Sequence, residues 1–534
     1  MKSVMNHNFS QVPKADIQRS SFDRSHGYKT TFDAGLLIPF YVDEALPGDS
    51  FSLNATLFAR LATPLKPVMD NMTCESFFFS VPNRLLWSNW QKFNGEQTNP
   101  DESTDYLIPT YNTTLGFSPH TFEDYCGIPT AVPNITINAL HRRAYILIYN
   151  EWFRDQNLQD SETLNTNDGP DGDVGAGTTI FRRGKRHDYF TSCLPWPQKG
   201  EAVTIPIGGS APVIGSIESN NVPPLFENLS SSNNTTFLWN TSIDPNILGD
   251  GTEMHFGTET GLKLDDGIYA DLSSATSITI NALRESFQIQ RLYERDARGG
   301  TRYIEIVKSH FGVTSPDLRA TRPEYLGGGS TPLNMTSVPQ TTQQFDNSSA
   351  QTPQGNLAAY GTIQGGGHGF TKSFTEHCTL IGMLCVRADL TYQQGLNRMF
   401  SRQTRWDFYW PALSHIGEQS VFNQEIYAQD EATAPGENDQ IFGYQERFAE
   451  YRYFPSKITG KFRSNDPQTL DMWHLSQNFA NLPLLNSEFI EENPPIDRII
   501  AVQDEPHFLL DSYIKLKTAR PMPVYGVPGM IDHF

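Results

Sequence analysis

Apolar and polar residues alternate with period two in several stretches of this chain, the mark of strands lying on a core. The cleanest is Phe51, Leu53, Ala55, Leu57 and Ala59 against Ser52, Asn54, Thr56 and Arg60, with Phe58 the one apolar residue on the outer side. Burying each large side chain contributes roughly 1.5–3 kcal/mol. Pro64 and Pro67 end the run. A second strand is predicted over Cys74–Val81, with Phe77 and Phe79 opposite Phe78, and the two together predict antiparallel sheet early in the chain. His507–Lys517 is a final strand with Phe508, Leu510, Ile514 and Leu516 inward. Tyr444–Tyr453 and Lys457–Phe462 also read as strands with aromatic faces.

The stretch Thr379–Trp410 predicts something different. Apolar residues fall on both of its faces from Leu380 to Val386, which signals deep burial, and Arg387 and Asp389 signal a strand leaving the core. An arm follows that carries Arg398, Arg402, Arg405, Trp406, Tyr409 and Trp410. Arg, Trp and Tyr dominate protein–protein hot spots, so the arm is a candidate subunit interface. An aromatic loop folded back on its own core is the competing reading.

Helical periodicity appears over Asn138–Phe153 and over Ile278–Arg298, where Ile280, Leu283, Phe287, Gln290 and Tyr293 share a face. Asn281 is a candidate cap and Gly299-Gly300 a stop, and Tyr303–Phe311 is a further helix. Trp87, Trp90 and Phe93 mark an aromatic turn or short helix. Gly327–Gly329 and Gly365–Gly367 read as flexible loops that bracket a polar Gln/Thr-rich segment. From Val203 to Thr276 the texture turns to Gly, Ser, Asn and Thr with recurrent Pro, the mark of a surface insertion, with β-like pieces at Val203–Ile207 and Thr235–Trp239.

Composition narrows the fold class. Length alone suggests several domains, but 34 Phe and 21 Tyr favour a large strand-rich core, and 40 Gly and 35 Pro exclude a long-helix protein. The five cysteines form no CxxC pair, which predicts a reducing or cysteine-indifferent compartment. Met1–His26 is polar throughout, so no secretory leader is expected. Ala144–Tyr149, the longest strongly apolar run, is too short to cross a bilayer.

A formal net charge of −20 repels nucleic acid, so any such contact must be local. Two basic stretches stand out. Residues 1–30 carry Lys14, Arg19 and Arg24 and few apolar residues, which suits an arm reaching nucleic acid or a neighbouring subunit, or a frayed terminus. Arg182, Arg183, Lys185 and Arg186 form the densest basic run, either a phosphate contact or solvated loop charge neutralised by Asp171, Asp173 and Asp188. No HExxH, GxSxG, Walker or dinucleotide motif is present, and the histidines lack ligand spacing, so no cofactor and no metal site are expected.

Several motifs carry a family likeness. They are His187-Asp188-Tyr189-Phe190 with Leu194-Pro195-Trp196-Pro197, Glu294-Arg295-Asp296-Ala297-Arg298-Gly299-Gly300, Arg322-Pro323-Glu324-Tyr325-Leu326-Gly327-Gly328-Gly329, Ala388-Asp389-Leu390-Thr391-Tyr392, and Pro521-Met522-Pro523. In these the chain resembles the major capsid proteins of Microviridae bacteriophages, in the gokushovirus branch. The resemblance implies an all-β fold, an eight-stranded antiparallel jelly roll with very long loop insertions and a few short helices. It implies a basic arm over 1–30, a first part of the jelly roll over 31–202 and an insertion over 203–276. The second part, with an extended tail, covers 277–534.

It further implies self-assembly into a T=1 icosahedral shell around circular single-stranded DNA, in a virion assembled in the bacterial cytoplasm. An internal scaffolding protein, a minor pilot protein and a host surface receptor are the implied partners. The insertion, with Asn228, Asn234, Trp239 and Asn240, would form host-facing protrusions at the threefold axes. The rival class is a jelly-roll carbohydrate-binding module or glycoside hydrolase with Trp406–Trp410 as a sugar platform.

Overall fold

The computed structural model describes residues 18–204, 280–313, 321–341 and 354–525, and the backbone of four three-residue strands between 213 and 270. Eight strands build the main sheet system: β1 His26–Phe32, β2 Ile38–Ala45, β3 Ser50–Leu61, β4 Met72–Pro82, β5 Glu324–Pro339, β6 Leu357–Ser373, β7 Cys378–Ala388 and β8 Phe508–Arg520. All pairings are antiparallel. One sheet runs β1-β8-β3-β6 and the other β2-β7-β4-β5. This interleaving of early and late strands in two facing sheets is the jelly-roll topology. β5 belongs to both sheets: Glu324–Pro332 pairs with β4, and Leu333–Pro339 continues onto β6. The strand Ser20–Asp23 extends the first sheet along the far end of β8.

The alternation read from β3 is the alternation observed, with every inward residue from Phe51 to Leu61 buried and every outward one from Ser52 to Arg60 exposed. β8 repeats it from Phe508 to Thr518. In the second sheet the inner strand β7 is covered on both sides and buried along its whole length. Helix α1, Leu140–Ile148, prolonged by a π turn over Tyr149–Phe153, packs on the outer face of β4 and β7. Tyr145 anchors it by donating to Leu37 O at 3.0 Å while accepting from Phe181 N at 3.0 Å. Between the sheets Phe78 meets Phe40 and Phe370 at ring-centroid distances of 5.5 and 5.4 Å.

Several expectations are corrected. β3 and β4 are not partners; they lie in opposite sheets, because β3 pairs with β8 and β6 while β4 pairs with β7 and β5. The glycine triplets are not flexible loops but lie inside β5 and β6: Gly327–Gly329 and Gly365 stand where neighbouring atoms leave no room for a side chain, while Gly366 and Gly367 form a bulge. A Cβ on Gly328 would stand 2.0 Å from Ser76 O, and one on Gly369 2.0 Å from Leu53 O. Beside them His368 is buried, its ring nitrogens hydrogen-bonded to Ser76 Oγ and Thr331 Oγ1 at 2.7 and 2.8 Å.

Arg387 does not leave the core; it is buried and ion-paired. The stretch Tyr444–Tyr453 is a strand only within Ile441–Glu446, ending where Phe448 takes a left-handed conformation. Lys457–Phe462 has one bridge, from Tyr392 to Lys457, and then a helical turn. Helix α2, Ile280–Gly299, already includes Asn281, so that residue caps nothing. Helix α3 spans Tyr303–Phe311 as expected.

The chain divides into two compact units, Met1–Pro197 with Ala297–Phe534, and Gln198–Asp296. In the second unit two short antiparallel ribbons are described: Phe226–Asn228 with Leu262–Leu264, and Val213–Gly215 with Ile268–Ala270. Thr235–Trp239 lies outside the described residues.

Candidate functional site

The basic run 182–186 is an extended strap rather than a solvated loop. Its backbone is stitched to the β1–β2 connection by Arg183 N donating to Gly35 O at 2.9 Å. On its other side Lys185 N donates to Ile490 O, and Glu492 N donates to Arg183 O, each at 2.7 Å. The side chains follow from that placement. Arg182 Nη1 reaches Ala34 O, Glu492 O and Asn493 Oδ1. The Lys185 ammonium is buried, donates to Phe489 O at 2.6 Å and lies 4.7 Å over the Phe489 ring; burial pushes its pKa down. Arg183 donates to Glu75, and Arg186 does so at 3.1 Å while keeping 59% of its side chain exposed.

Glu75 organises this cluster. Its carboxylate sits on β4 and accepts from Arg183, Arg186 and, at 3.0 Å, from Arg387 of β7. Burial works to raise its pKa, but the Arg183 and Arg387 guanidiniums outweigh burial and hold it below the ordinary glutamate value. The aspartates expected to neutralise the run are engaged elsewhere. Asp171 holds buried Arg143, Asp173 accepts from Thr114, and Asp188 accepts from Tyr392 at 2.7 Å. Neither Glu75 nor Arg387 was singled out from sequence as a site residue. The signal was there: single charges inside strands that are apolar on both faces, which persist only when paired.

Of the other proposed nucleic-acid residues, Arg24 forms a two-pronged pair with Asp43 at 2.7 and 2.9 Å. Arg19 is exposed and donates to Ser50 Oγ at 3.0 Å, and Lys14 lies outside the described residues.

The arm after β7 has its own small core, in which Tyr189, Phe190, Tyr392, Val421, Ile426 and Phe442 are buried together. Two of its arginines turn inward. Arg398 bonds Glu425 at 3.0 Å, and Arg402 bonds Glu450 at 3.3 Å with its guanidinium 4.2 Å over Tyr451. Arg405 lies 4.5 Å over the Trp410 ring and 5.5 Å over Trp406. Its aromatics turn outward: Trp406 is 60% exposed and Phe400 69%, and Tyr409 and Trp410 are also exposed. Arginine thus stiffens the arm from behind while indole and phenol faces are presented to solvent.

The model for the family described as capsid protein (F protein) matches residues 10–530. The chain belongs to that capsid protein family. It is 47% identical to capsid protein VP1 of Bdellovibrio phage phiMH2K, over 99% of this chain and 98% of the relative. It is 44% identical to capsid protein VP1 of Chlamydia phage 1, over 99% and 98%, and 36% identical to that of Spiroplasma virus 4, over 98% and 97%. These relatives place this capsid protein in the gokushovirus branch of the Microviridae and decide against the hydrolase reading.

The remaining chemistry of this capsid protein is structural. Among the described residues no cluster of His, Cys, Asp or Glu could hold a metal ion. Every cysteine is free, and burial pushes each thiol up, Cys378 and Cys385 to about 12, so none is a ready nucleophile. Glu425 and Glu492 are buried acids whose pKa values are raised, chiefly by desolvation. Asn228 closes the short strand Phe226–Asn228, while Asn234, Trp239 and Asn240 lie outside the described residues.

Proposed function

We propose that this capsid protein closes a T=1 icosahedral shell around a circular single-stranded DNA genome. Assembly takes place in the cytoplasm of the bacterial host, with an internal scaffolding protein and a minor pilot protein as partners. The observation that carries the reading is the exposed aromatic face of the arm. Trp406, Tyr409 and Trp410 are held in place by Arg405 and Phe448, yet stand in water on an isolated subunit. Ordered, rigid aromatics of this kind suit a contact repeated by symmetry between copies.

The unit Gln198–Asp296 supports a surface role, because it is compact in itself. We place it at the threefold axes, meeting a host surface receptor. For DNA, the exposed basic groups Arg19 and Arg186 are the leading contacts, since Arg24, Arg182, Arg183 and Lys185 are spent on internal partners.

Electron microscopy of the chain co-expressed with its scaffolding protein tests the assembly. Uniform shells that retain DNA are expected. A monodisperse monomer with affinity for glycans would overturn the reading. Neutralising Arg19 and Arg186 should lower DNA content at unchanged shell yield.

A further inference from the structure

A cleft of about 390 Å³ opens beside the strap, on the outer face of β4. Its volume falls in the range of roughly 300–1,000 Å³ typical of small-ligand sites. One wall is aromatic. Phe79 packs against Trp152 at 5.4 Å and Tyr325 at 5.5 Å, and Trp152 and Tyr325 stand 6.1 Å apart with their rings at 41°. That spacing leaves no slot between Trp152 and Tyr325, but 38% of Trp152 and 44% of Tyr325 remain exposed. Trp152 is fixed in place, because its indole N–H donates to Pro323 O at 3.1 Å and Arg322 lies 5.0 Å over its ring.

The facing wall is cationic. Arg154, Arg183, Lys185 and Arg186 line it with His187; Asp155 is the carboxylate in the lining, and Glu75, Glu492 and Asp188 stand behind the strap. Asp155 is engaged by the backbone N–H groups of Asn157 and Leu158. Arg154 Nη1 donates to Gln159 O at 2.5 Å, and its buried Nε has no hydrogen-bond partner among the described residues. In a chain of net charge −20, a cleft lined by four basic side chains and one carboxylate beside exposed π faces is a local exception. Its two walls match the two halves of a nucleotide, because a base stacks on rings and a phosphate takes guanidinium donors.

We propose that this cleft binds one nucleotide of a single DNA strand, with the base stacked on Tyr325 beside Trp152 and the phosphate held by Arg186. The assignment rests on the reading of the shell as a container for single-stranded DNA. It adds a discrete, base-stacking site to a charge contact that needs none. Because stacking accepts any base, the site tolerates whatever sequence lies against it.

Two measurements test it. DNA-filled particles are irradiated with ultraviolet light and the protein–DNA crosslinks mapped by mass spectrometry. Crosslinks at Trp152 or Tyr325 are expected. Filled particles that crosslink only elsewhere overturn the cleft and leave the container reading intact. Particles without DNA remove both. A peptide found in the cleft instead of a nucleotide also overturns it.

In solution, dissociated capsid protein is titrated with a ten-residue oligothymidylate and with an abasic strand of equal length. Tyr325→Ala should weaken oligothymidylate binding about 5- to 150-fold, the range for one stacked base, and leave abasic binding unchanged. Equal loss on both strands overturns the stacking. Arg186→Gln, whose side chain is mostly in water, covers the case in which Tyr325→Ala fails to fold. It should weaken both strands and lower the salt slope by about one. An unchanged slope overturns the phosphate contact.

Discussion

Replacing Glu75 by Gln removes one carboxylate from three guanidiniums, and the structure sets how much each loss should cost. Arg387 has 7% of its side chain exposed and contacts Glu75 at 3.0 Å; its remaining acidic partner is Asp389, also at 3.0 Å and half exposed. Arg183, 16% exposed, has Glu75 as its ion-pair partner. Arg186 is largely in water and its share is discounted. Breaking a buried pair by removing one partner costs about 3–5 kcal/mol. Asp389 retains part of the Arg387 charge, so the lower end, about 3 kcal/mol, is expected. Urea unfolding of dissociated subunits at pH 7 reads the shift, using the first transition because a chain of this length does not unfold in two states. Arg387→Met completes a double-mutant cycle, with a coupling of about 0.5–3 kcal/mol expected for groups in one network. A loss below about 1 kcal/mol, or simple additivity with Arg387→Met, would refute the view that Glu75 holds the strap to the sheet. The pH dependence gives a second check. The Glu75 pKa is depressed, so its contribution is complete above the ordinary value of 4.5 and is lost as pH falls through the lower folded value. Glu75→Gln should lack that acid-side loss.

Glu492 has the opposite sign: its raised pKa means that its ionisation opposes folding as pH rises through the folded value. Glu492→Gln should therefore raise subunit stability at pH 7, and the gain should shrink below pH 4.5, as followed by unfolding midpoints at both ends. Gly369→Ala places a methyl group 2.0 Å from Leu53 O and should destabilise by at least the ~1–3 kcal/mol typical of overpacking; a normal yield of soluble protein with an unshifted midpoint would contradict it. Trp406→Ala with Tyr409→Ala should leave subunit stability within about 0.5 kcal/mol, because Trp406 is 60% and Tyr409 49% exposed. Shell assembly should weaken by about 2 kcal/mol or more per contact, and sedimentation at graded concentrations would show an unchanged assembly threshold if the aromatic face is not an interface.

Two strands of the first sheet, β3 and β8, were legible because one of their faces is wet, whereas β1 was hidden in the basic arm and β6 among its glycines. β3 and β8 print their burial directly as alternation. In the second sheet β4 and β7 are buried on both faces, so they identified themselves as strands without naming a partner, and strand order had to come from the structure. The glycine triplets misled because glycine permits both a flexible loop and a close approach, and only the Ser76 carbonyl beside Gly328 and the Thr331 side chain beside Gly365 tell which. The basic run was visible as charge, but its acid was not, since Glu75 lies more than a hundred residues upstream in sequence. The arm was legible in composition, whereas the inward turn of Arg398 and Arg402 depends on Glu425 and Glu450 supplied by later segments.

Among the described residues the two outer faces of the sandwich are dressed unequally. α1 and the strap already occupy the outer face of β4 and β7, so a substitution there must fit against packed rings and shared charges. On β3 the outward positions Ser52, Asn54, Thr56 and Arg60 meet solvent. Mutations accumulating in a phage lineage should therefore gather on that barer side, where they escape the selection that keeps the dressed side fixed.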